Sequence, residues 1–370
     1  MHVSDIIKKR GINKIYYFHT DHFEPFTGGD RVNDIKGIRN FVKRTKSFKH
    51  SKKMSLFVVI PYGRMLGTNN RKDLEIFSFN DDLVSFFIKN NSAQKVKEYI
   101  KILYESGHDI HIHVHHERWT SNNLNISKFS KSDIPLRKYV LGEGEKNDGI
   151  RLKNHLGLCV DFIKDIIPNF NSWGFVHGCW ALNASDPEIC KINDEIVILK
   201  EAGCIGDFSF PAGRGHCDPK IESPFTINPI VAPRSYDNPK SRQRVIGKDP
   251  GAFDKDRFLV WSSKIKHRHT SLDYYSDAIK KNLSDPNLIV NNWIKHSPVI
   301  NGNLFIKTHS HSMDLRYWKN YDNPIIPITS PNVNKAFANL KNTCNKTGVS
   351  LEFISVREAV SLLKKIDKVK

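Results

Sequence analysis

The sequence predicts an α/β protein, and within that class a (β/α) barrel, on three observations. Short β-branched or aromatic runs recur along the 370 residues, amphipathic helical stripes lie between them, and seven or so such units fit in the chain. Alternating strands and helices build parallel sheets from βαβ units, and that many units suit a barrel better than an open sheet. No linker or internal repeat divides the chain, so residues 1–370 are read as one domain.

The elements follow in order. Lys14-Ile15-Tyr16-Tyr17-Phe18 has strand composition, and so has the run 55–60, closed by Pro61. Residues 93–106 form a helix, because Val96, Tyr99, Ile100, Leu103 and Tyr104 make one apolar stripe and Gly107 sits at the C-cap position. A strand over 109–115 comes next. Leu156, Cys159, Phe162, Ile163, Ile166 and Ile167 make another helical stripe, stopped by Pro168. Then come a strand over 172–177, a helix over 194–202 capped by Gly203, and a strand over 204–208. The last part carries a helix over 272–283, a strand over 304–308, a helix over 333–344 and a strand over 350–353. The closing helix is marked by Val356, Ala359, Val360, Leu363 and Ile366. Stretches near 62–92, 118–149 and 211–251 break the rhythm and are read as insertions; loops this long in a compact domain usually serve as lids or binding loops.

Charge narrows the partners. Fifty-seven Lys and Arg against 39 Asp and Glu give a formal +18. A lysine-rich surface serves solubility, but an excess of this size also suits an anionic partner, such as a nucleotide-linked or lipid-linked sugar, an acidic glycan or nucleic acid. The first residues hold no apolar core of signal-peptide length, and no run approaches the roughly 20 apolar residues that span a bilayer. A soluble, cytoplasmic protein with no transmembrane segment is expected. Six scattered cysteines include no C-x-x-C pair, which argues against a zinc knuckle and for reduced thiols.

Four titratable clusters fall at predicted strand ends: His19-Thr20-Asp21-His22, Gly107-His108-Asp109-Ile110-His111-Ile112-His113-Val114-His115-His116-Glu117, Phe175-Val176-His177-Gly178-Cys179-Trp180, and Leu304-Phe305-Ile306-Lys307-Thr308-His309-Ser310-His311. The C-terminal strand ends of a barrel share one face, so these clusters would converge. Strand period places His111, His113 and His115 on one side, and neutral imidazoles at that spacing suit Zn²⁺ or another divalent ion, with a carboxylate completing the shell. The bland alternative is hydrogen-bonded core histidines. Asp21 and His22 offer a carboxylate and an imidazole side by side, one to bind the ion and one to take a proton from its water; the plain alternative is an Asx-turn. His309 is a candidate general acid, with His311 competing for that role.

These pieces resemble the polysaccharide deacetylase (carbohydrate esterase family 4, NodB-like) superfamily. His19-Thr20-Asp21-His22 stands where the family has Thr-Phe-Asp-Asp, which implies Asp21 as catalytic base and His22 as metal ligand. Because His replaces Asp at the ligand position, Asp21 competes with His22 for the ion. Gly107-His108-Asp109-Ile110 is similar to the stretch before the family's second motif, which implies His113 as ligand. Four residues on stands Glu117 where the family has histidine, so His115 and Glu117 compete for the next position. Leu304 to His309 resembles the final motif and implies His309 as general acid. The family's Arg-x-Pro-x-Gly loop has no match after the middle strand, and His177, Trp180, Arg214 and His311 are read as substrate-binding, with Trp180 as a sugar-stacking wall and Arg214 as an anion site. The resemblance implies a distorted seven-stranded barrel with long insertions and removal of an N-acyl group, most simply N-acetyl, from a sugar precursor of surface polysaccharide, using a divalent ion such as Zn²⁺. Rival readings are hydrolysis of another linear or cyclic amide, such as N-formyl, and an inactive relative that binds glycan or nucleic acid. No nucleic-acid motif accompanies the basic runs Lys43-Arg44-Thr45-Lys46 and Lys266-His267-Arg268-His269, so nucleic acid is not expected.

Overall fold

The computed structural model describes residues 2–23, 35–47, 54–59, 75–77, 93–114, 117–120, 138–139, 148–274, 276–313 and 326–368. Fourteen strands are described: β1 Lys14–Phe23, β2 Ser55–Val59, β3 Glu75–Phe77, β4 Asp109–Val114, β5 Glu117–Thr120, β6 Lys138–Tyr139, β7 Trp173–His177, β8 Cys204–Asp207, β9 Phe225–Ile227, β10 Arg244–Val245, β11 Phe258–Val260, β12 Val299–Ile300, β13 Asn303–Ser310 and β14 Ser350–Phe353. Eleven of them form one sheet, ordered β10-β9-β11-β8-β7-β4-β2-β1-β13-β12, with β14 also on β1. The run from β11 through β8, β7, β4, β2 and β1 to β13 is parallel throughout. β3, β5 and β6 make a separate three-stranded antiparallel sheet.

Alternation along the strands makes two cores, because successive side chains leave a strand on opposite faces. Ile15, Tyr17, Leu56, Ile110, Ile112, Leu304 and Ile306 enter one cluster, which the helices 93–105, 148–164, 286–296 and 331–347 also supply. Tyr16, Phe18, Phe57, Val176, Phe208, Trp261 and Phe305 enter the other. In this second cluster Trp261, just past β11, packs edge-on to Phe18 of β1 at 4.8 Å and lies 6.3 Å from Phe305 of β13. The sheet therefore curls until side chains from the two ends of its parallel run meet. Lys307 of β13 reaches the same seam and donates hydrogen bonds to the carbonyls of Phe208 and Phe210. Among the described residues no ladder joins β11 to β13; Ser271 and His309 form an isolated bridge there. The expected α/β class is present, with a large, mostly parallel sheet, but hydrogen bonds do not close it into a barrel.

Several boundaries differ from the sequence reading, each for a tertiary reason. β1 continues to Phe23, because Thr20–Phe23 pairs with Ser55–Val58 of β2 while Lys14–Tyr17 pairs with β14. The helix expected from 272 starts at Asp277, because Ser271 is bridged to His309 and the Leu272 N–H donates to the His309 carbonyl; Ser276 caps it. β11 is three residues long, too short to show a period. The insertion near 211–251 carries β9 and β10 as an antiparallel extension of the sheet rather than forming an irregular lid. Much of 62–92 and 118–149 lies outside the described residues.

Two core histidines fold neutral. The Nδ1 of His111 accepts the Gly174 N–H at 2.8 Å while its Nε2 contacts Asp109 at 2.9 Å. The Nδ1 of His108 accepts the Met54 N–H at 3.3 Å and its Nε2 meets Thr45. Burial lowers His111 to about 3 and His108 to about 4. The unfolded chain then binds protons below its histidine pKa of about 6.5 that the folded chain does not, so stability falls as pH falls from there toward 4. Each such group adds about 1.4 kcal/mol per pH unit, so these two set a floor of about 3 kcal/mol per pH unit, to which any other buried neutral histidine adds. Urea titrations at pH 7.5, 6 and 5 measure it, and a flat unfolding free energy across them would contradict the assignment.

A histidine-lined candidate metal centre

The face that carries Tyr16 and Phe18 continues, four residues beyond Phe18 along β1, to His22. The same phase places His113 at the end of β4, and His309 and His311 at and just beyond the end of β13. His267 follows β11, and Trp180 follows β7. Six side chains from five strand ends thus meet at the C-terminal edge of the parallel strands, the side on which catalytic loops gather in such sheets. The His22 ring centroid lies 5.1 Å from that of His113, 5.7 Å from His309, 4.6 Å from His311 and 6.3 Å from the Trp180 ring. His267 lies 4.7 Å from His309 and packs edge-on to Trp180 at 5.2 Å. His22, His113 and His309 are buried, whereas His267, His311 and Trp180 are partly exposed, which gives the cluster one open side.

Hydrogen bonds set several tautomers. His113 Nδ1 donates to the Val176 carbonyl at 2.7 Å, which leaves the lone pair on Nε2. His311 Nδ1 faces Asp273 Oδ2 at 2.8 Å, and the same carboxylate accepts the His311 N–H at 3.0 Å. His309 and His267 face each other through their Nε2 atoms at 3.0 Å, so one holds a proton and the other accepts it. Burial, then the neighbouring imidazoles and Lys307, holds His22 and His309 well below the ordinary histidine range, and burial lowers His267 to about 4. Neutral imidazoles whose outer nitrogen is fixed by a carbonyl or carboxylate are the usual ligands of divalent transition ions. The donor chemistry therefore fits the implied ion. The spacing is wider than a closed shell: among the described residues no three of these histidines bring ligand atoms within 4.8 Å of one another, so gripping an ion requires ring rotations.

The structure does not bring Asp21 to this group. Asp21 lies on the opposite face of β1 from His22, where its carboxylate accepts the Ser310 hydroxyl at 2.6 Å, the Ser312 hydroxyl and, at 3.3 Å, the Ser312 N–H. His19 stands 3.5 Å from it. The opposition follows from strand parity once β1 runs past residue 21. Of the two residues competing for the next ligand position, His115 lies outside the described residues. Glu117 opens β5, whose backbone pairs with β6 in the second sheet, and its side chain is likewise outside them.

Other expected residues fall elsewhere. His177 ends β7 on the outer face, in a buried group with Cys190 and Glu195. Arg214 is bound to Asp186 at 2.7 Å beside His216, so its charge is already matched. Trp180 lies beside His22 and His267, and a Cβ on Gly213 would stand 3.1 Å from its ring. The sequence reading missed His267 and Asp273. His267 stands inside the basic run 266–269, where its neighbours mask it, and a solitary aspartate carries no pattern. Two tighter groups with metal-ligating side chains are His177–Cys190–Glu195 and Asp186–His216–Cys217, each with one ligand atom per residue within 4.8 Å of the others. No helix of the described residues is long and apolar enough to cross a membrane. Comparison with protein-family models, with curated proteins and with solved structures found no match to this chain.

Proposed function

We propose that the chain is a divalent-metal-dependent hydrolase that removes an N-acyl group from a sugar, with the histidine cluster as its centre and the curled sheet acting as a distorted seven-stranded barrel. The observation that carries this reading is the convergence of five imidazoles from β1, β4, β11 and β13 around one open side. A divalent ion, with Zn²⁺ the best match to imidazole donors, supplies Lewis acidity toward the acyl carbonyl and a water of lowered pKa. His22 and His113 present nitrogens that would hold it, and a ring rotation that breaks the His309–His267 hydrogen bond would supply a further one. The low proton affinity of His22, His309 and His267 favours metal over anion binding, because uncharged rings hold a phosphate or carboxylate weakly.

His311 is the proton-transfer residue. It is 22% exposed, stands closest to His22 and is held by Asp273, an arrangement that stabilises an imidazolium as it forms. It takes the proton from the attacking water and returns it to the departing amine, so the amide ends as a carboxylate and an ammonium. This role replaces the one the resemblance implied for Asp21. Trp180 supplies an apolar wall suited to a sugar face. The formal +18 suits an anionic carrier such as a nucleotide or lipid pyrophosphate on the sugar.

Metal analysis of the purified chain and amine release from N-acylated and N-formylated sugars test the proposal. Stoichiometric metal is expected in the wild type and in Asp21→Asn, and a large loss in His113→Ala. A metal-free wild type, or a His113→Ala chain that keeps all its metal, sinks the reading. Amine release only from N-formyl or cyclic amides would move the substrate to the rival class.

A further inference from the structure

A second group of ligating side chains lies on the opposite face of the sheet and shares no residue with the histidine centre. We propose that His177, Cys190 and Glu195 bind a divalent transition ion of their own, with Zn²⁺ or Co²⁺ as the matching chemistry, and that this ion clamps the loop carrying Trp180. The three residues come from the end of β7, from the following loop and from the first turn of the helix Glu195–Glu201. All three are buried, and one ligand atom from each lies within 4.8 Å of the others.

The internal geometry favours an ion over a direct contact. His177 Nδ1 donates to the Gly178 carbonyl at 2.5 Å, so the ring's lone pair is on Nε2. That nitrogen faces Glu195 Oε1 at 3.5 Å. The distance is long for a charge-assisted hydrogen bond, which runs at about 2.7–2.9 Å. It is close to the separation of two donors on one tetrahedral ion, because bonds of about 2.0–2.1 Å at a tetrahedral angle place the donor atoms about 3.3–3.4 Å apart. The other carboxylate oxygen of Glu195 accepts the Asn183 N–H at 2.6 Å, which aims Oε1 at the imidazole. Outer hydrogen bonds of this kind on both a histidine and a carboxylate are what orients metal ligands.

Charge balance points the same way. A thiolate, a carboxylate and a neutral imidazole sum to two negative charges, which one divalent ion cancels; a buried site needs that neutrality. Binding releases the Cys190 thiol proton to solvent as the sulfur–metal bond forms.

The location supplies a purpose. Between β7 and the helix at 195, Cys179, Trp180, Asn183 and Ala184 hold φ values of +55°, +57°, +52° and +56°. Non-glycine residues in the left-handed region cost of order 1 kcal/mol each and persist only where the surroundings over-determine them. Asn183 is already bound on several sides: its N–H goes to Glu195, its amide oxygen accepts the Ile196 N–H and its amide nitrogen donates to Ala232. An ion joining His177, Cys190 and Glu195 ties both ends of this strained loop together and so fixes Trp180 against His22 and His267.

Cobalt distinguishes this site from the histidine centre, because only a cysteine ligand gives a thiolate-to-cobalt charge-transfer band in the near ultraviolet. The full chain is unfolded in guanidinium with chelator, then refolded with Co²⁺ as the only metal. The band is expected in the wild type and in Cys217→Ser, which removes the thiol of the other candidate group, and absent in Cys190→Ser. No band in the wild type, a band that survives Cys190→Ser, or one that disappears in Cys217→Ser overturns the proposal. X-ray absorption of Zn²⁺-refolded Cys217→Ser needs no change at the site. A sulfur at about 2.3 Å from zinc is expected, and a shell of only nitrogen and oxygen overturns the assignment. Neither readout depends on hydrolysis, so failure here leaves the histidine centre untouched and the reverse also holds.

Discussion

Lys307→Met is expected to destabilise the chain by about 3–5 kcal/mol, the cost of breaking a buried charge network by removing one partner. The lysine is 3% exposed, and its ammonium donates to the carbonyls of Phe208 and Phe210, the latter at 2.7 Å. Methionine fills most of the volume but donates nothing, so two buried carbonyls lose their partner at about 1–3 kcal/mol each. The cation is also balanced by Asp207 and Asp218, while burial alone lowers its pKa. Asp207, itself raised by burial, loses a favourable charge when the lysine goes. The damage should concentrate at the seam, since Lys307 sits on β13 and its acceptors follow β8. Urea unfolding measures the effect as a lower midpoint with unchanged slope. A loss below about 1 kcal/mol would show that apolar packing of Trp261, Phe305 and Phe18 closes the seam unaided.

Asp273→Asn is expected to lower kcat by about 10²–10⁴ with the metal content unchanged. Asp273 is buried and accepts both the Nδ1–H and the backbone N–H of His311. An amide in its place offers an N–H to Nδ1 in one of its two orientations, which turns the ring to the other tautomer and removes the lone pair from Nε2. It also removes the negative charge that stabilises an imidazolium. General acid–base catalysis contributes about 10²–10⁴, which sets the scale. Because Asp273 acts through His311 in the proposed mechanism, it is a positioning residue there, and a merely structural effect must be separated from an electrostatic one. The pH profile does so: the limb belonging to His311 should move to lower pH in Asp273→Asn, because the imidazolium has lost its counter-charge. An equal fall in kcat with an unmoved profile would assign Asp273 to packing, and an unchanged kcat would remove the His311–Asp273 pair from the mechanism.

The fold class was legible because it rests on periodicity. Apolar stripes at helical spacing along 93–105 and 356–368, and alternating β-branched or aromatic residues along β1, β4 and β13, are local properties of the chain. Lengths were less legible. β11 has three residues, and residues 19–22 of β1 look polar; both are strands because neighbours pair with them. Legibility of the site followed the same division. His22, His113 and His309 stood out as titratable residues at strand ends. His267 and Asp273 did not, because each is brought in by a segment that follows β11 and bridges to β13.

The histidine run that made the sequence distinctive is sorted by parity and by contact. His111 and His113 share a face, yet His111 is spent between Gly174 and Asp109 while His113 reaches the open end beside His22. Asp21 and His22 are the sharper case. Read from a strand ending at residue 18, they were free to act together; in a strand running to Phe23, adjacent residues must part to opposite faces. The sequence by itself determined the α/β class and the histidine-rich strand ends, since each depends on residues close in the chain. Only the tertiary structure decided which strand face is concave, how far β1 extends and which distant carboxylate meets which imidazole. Those outcomes depend on pairing and packing between segments tens to hundreds of residues apart, and no local period encodes them.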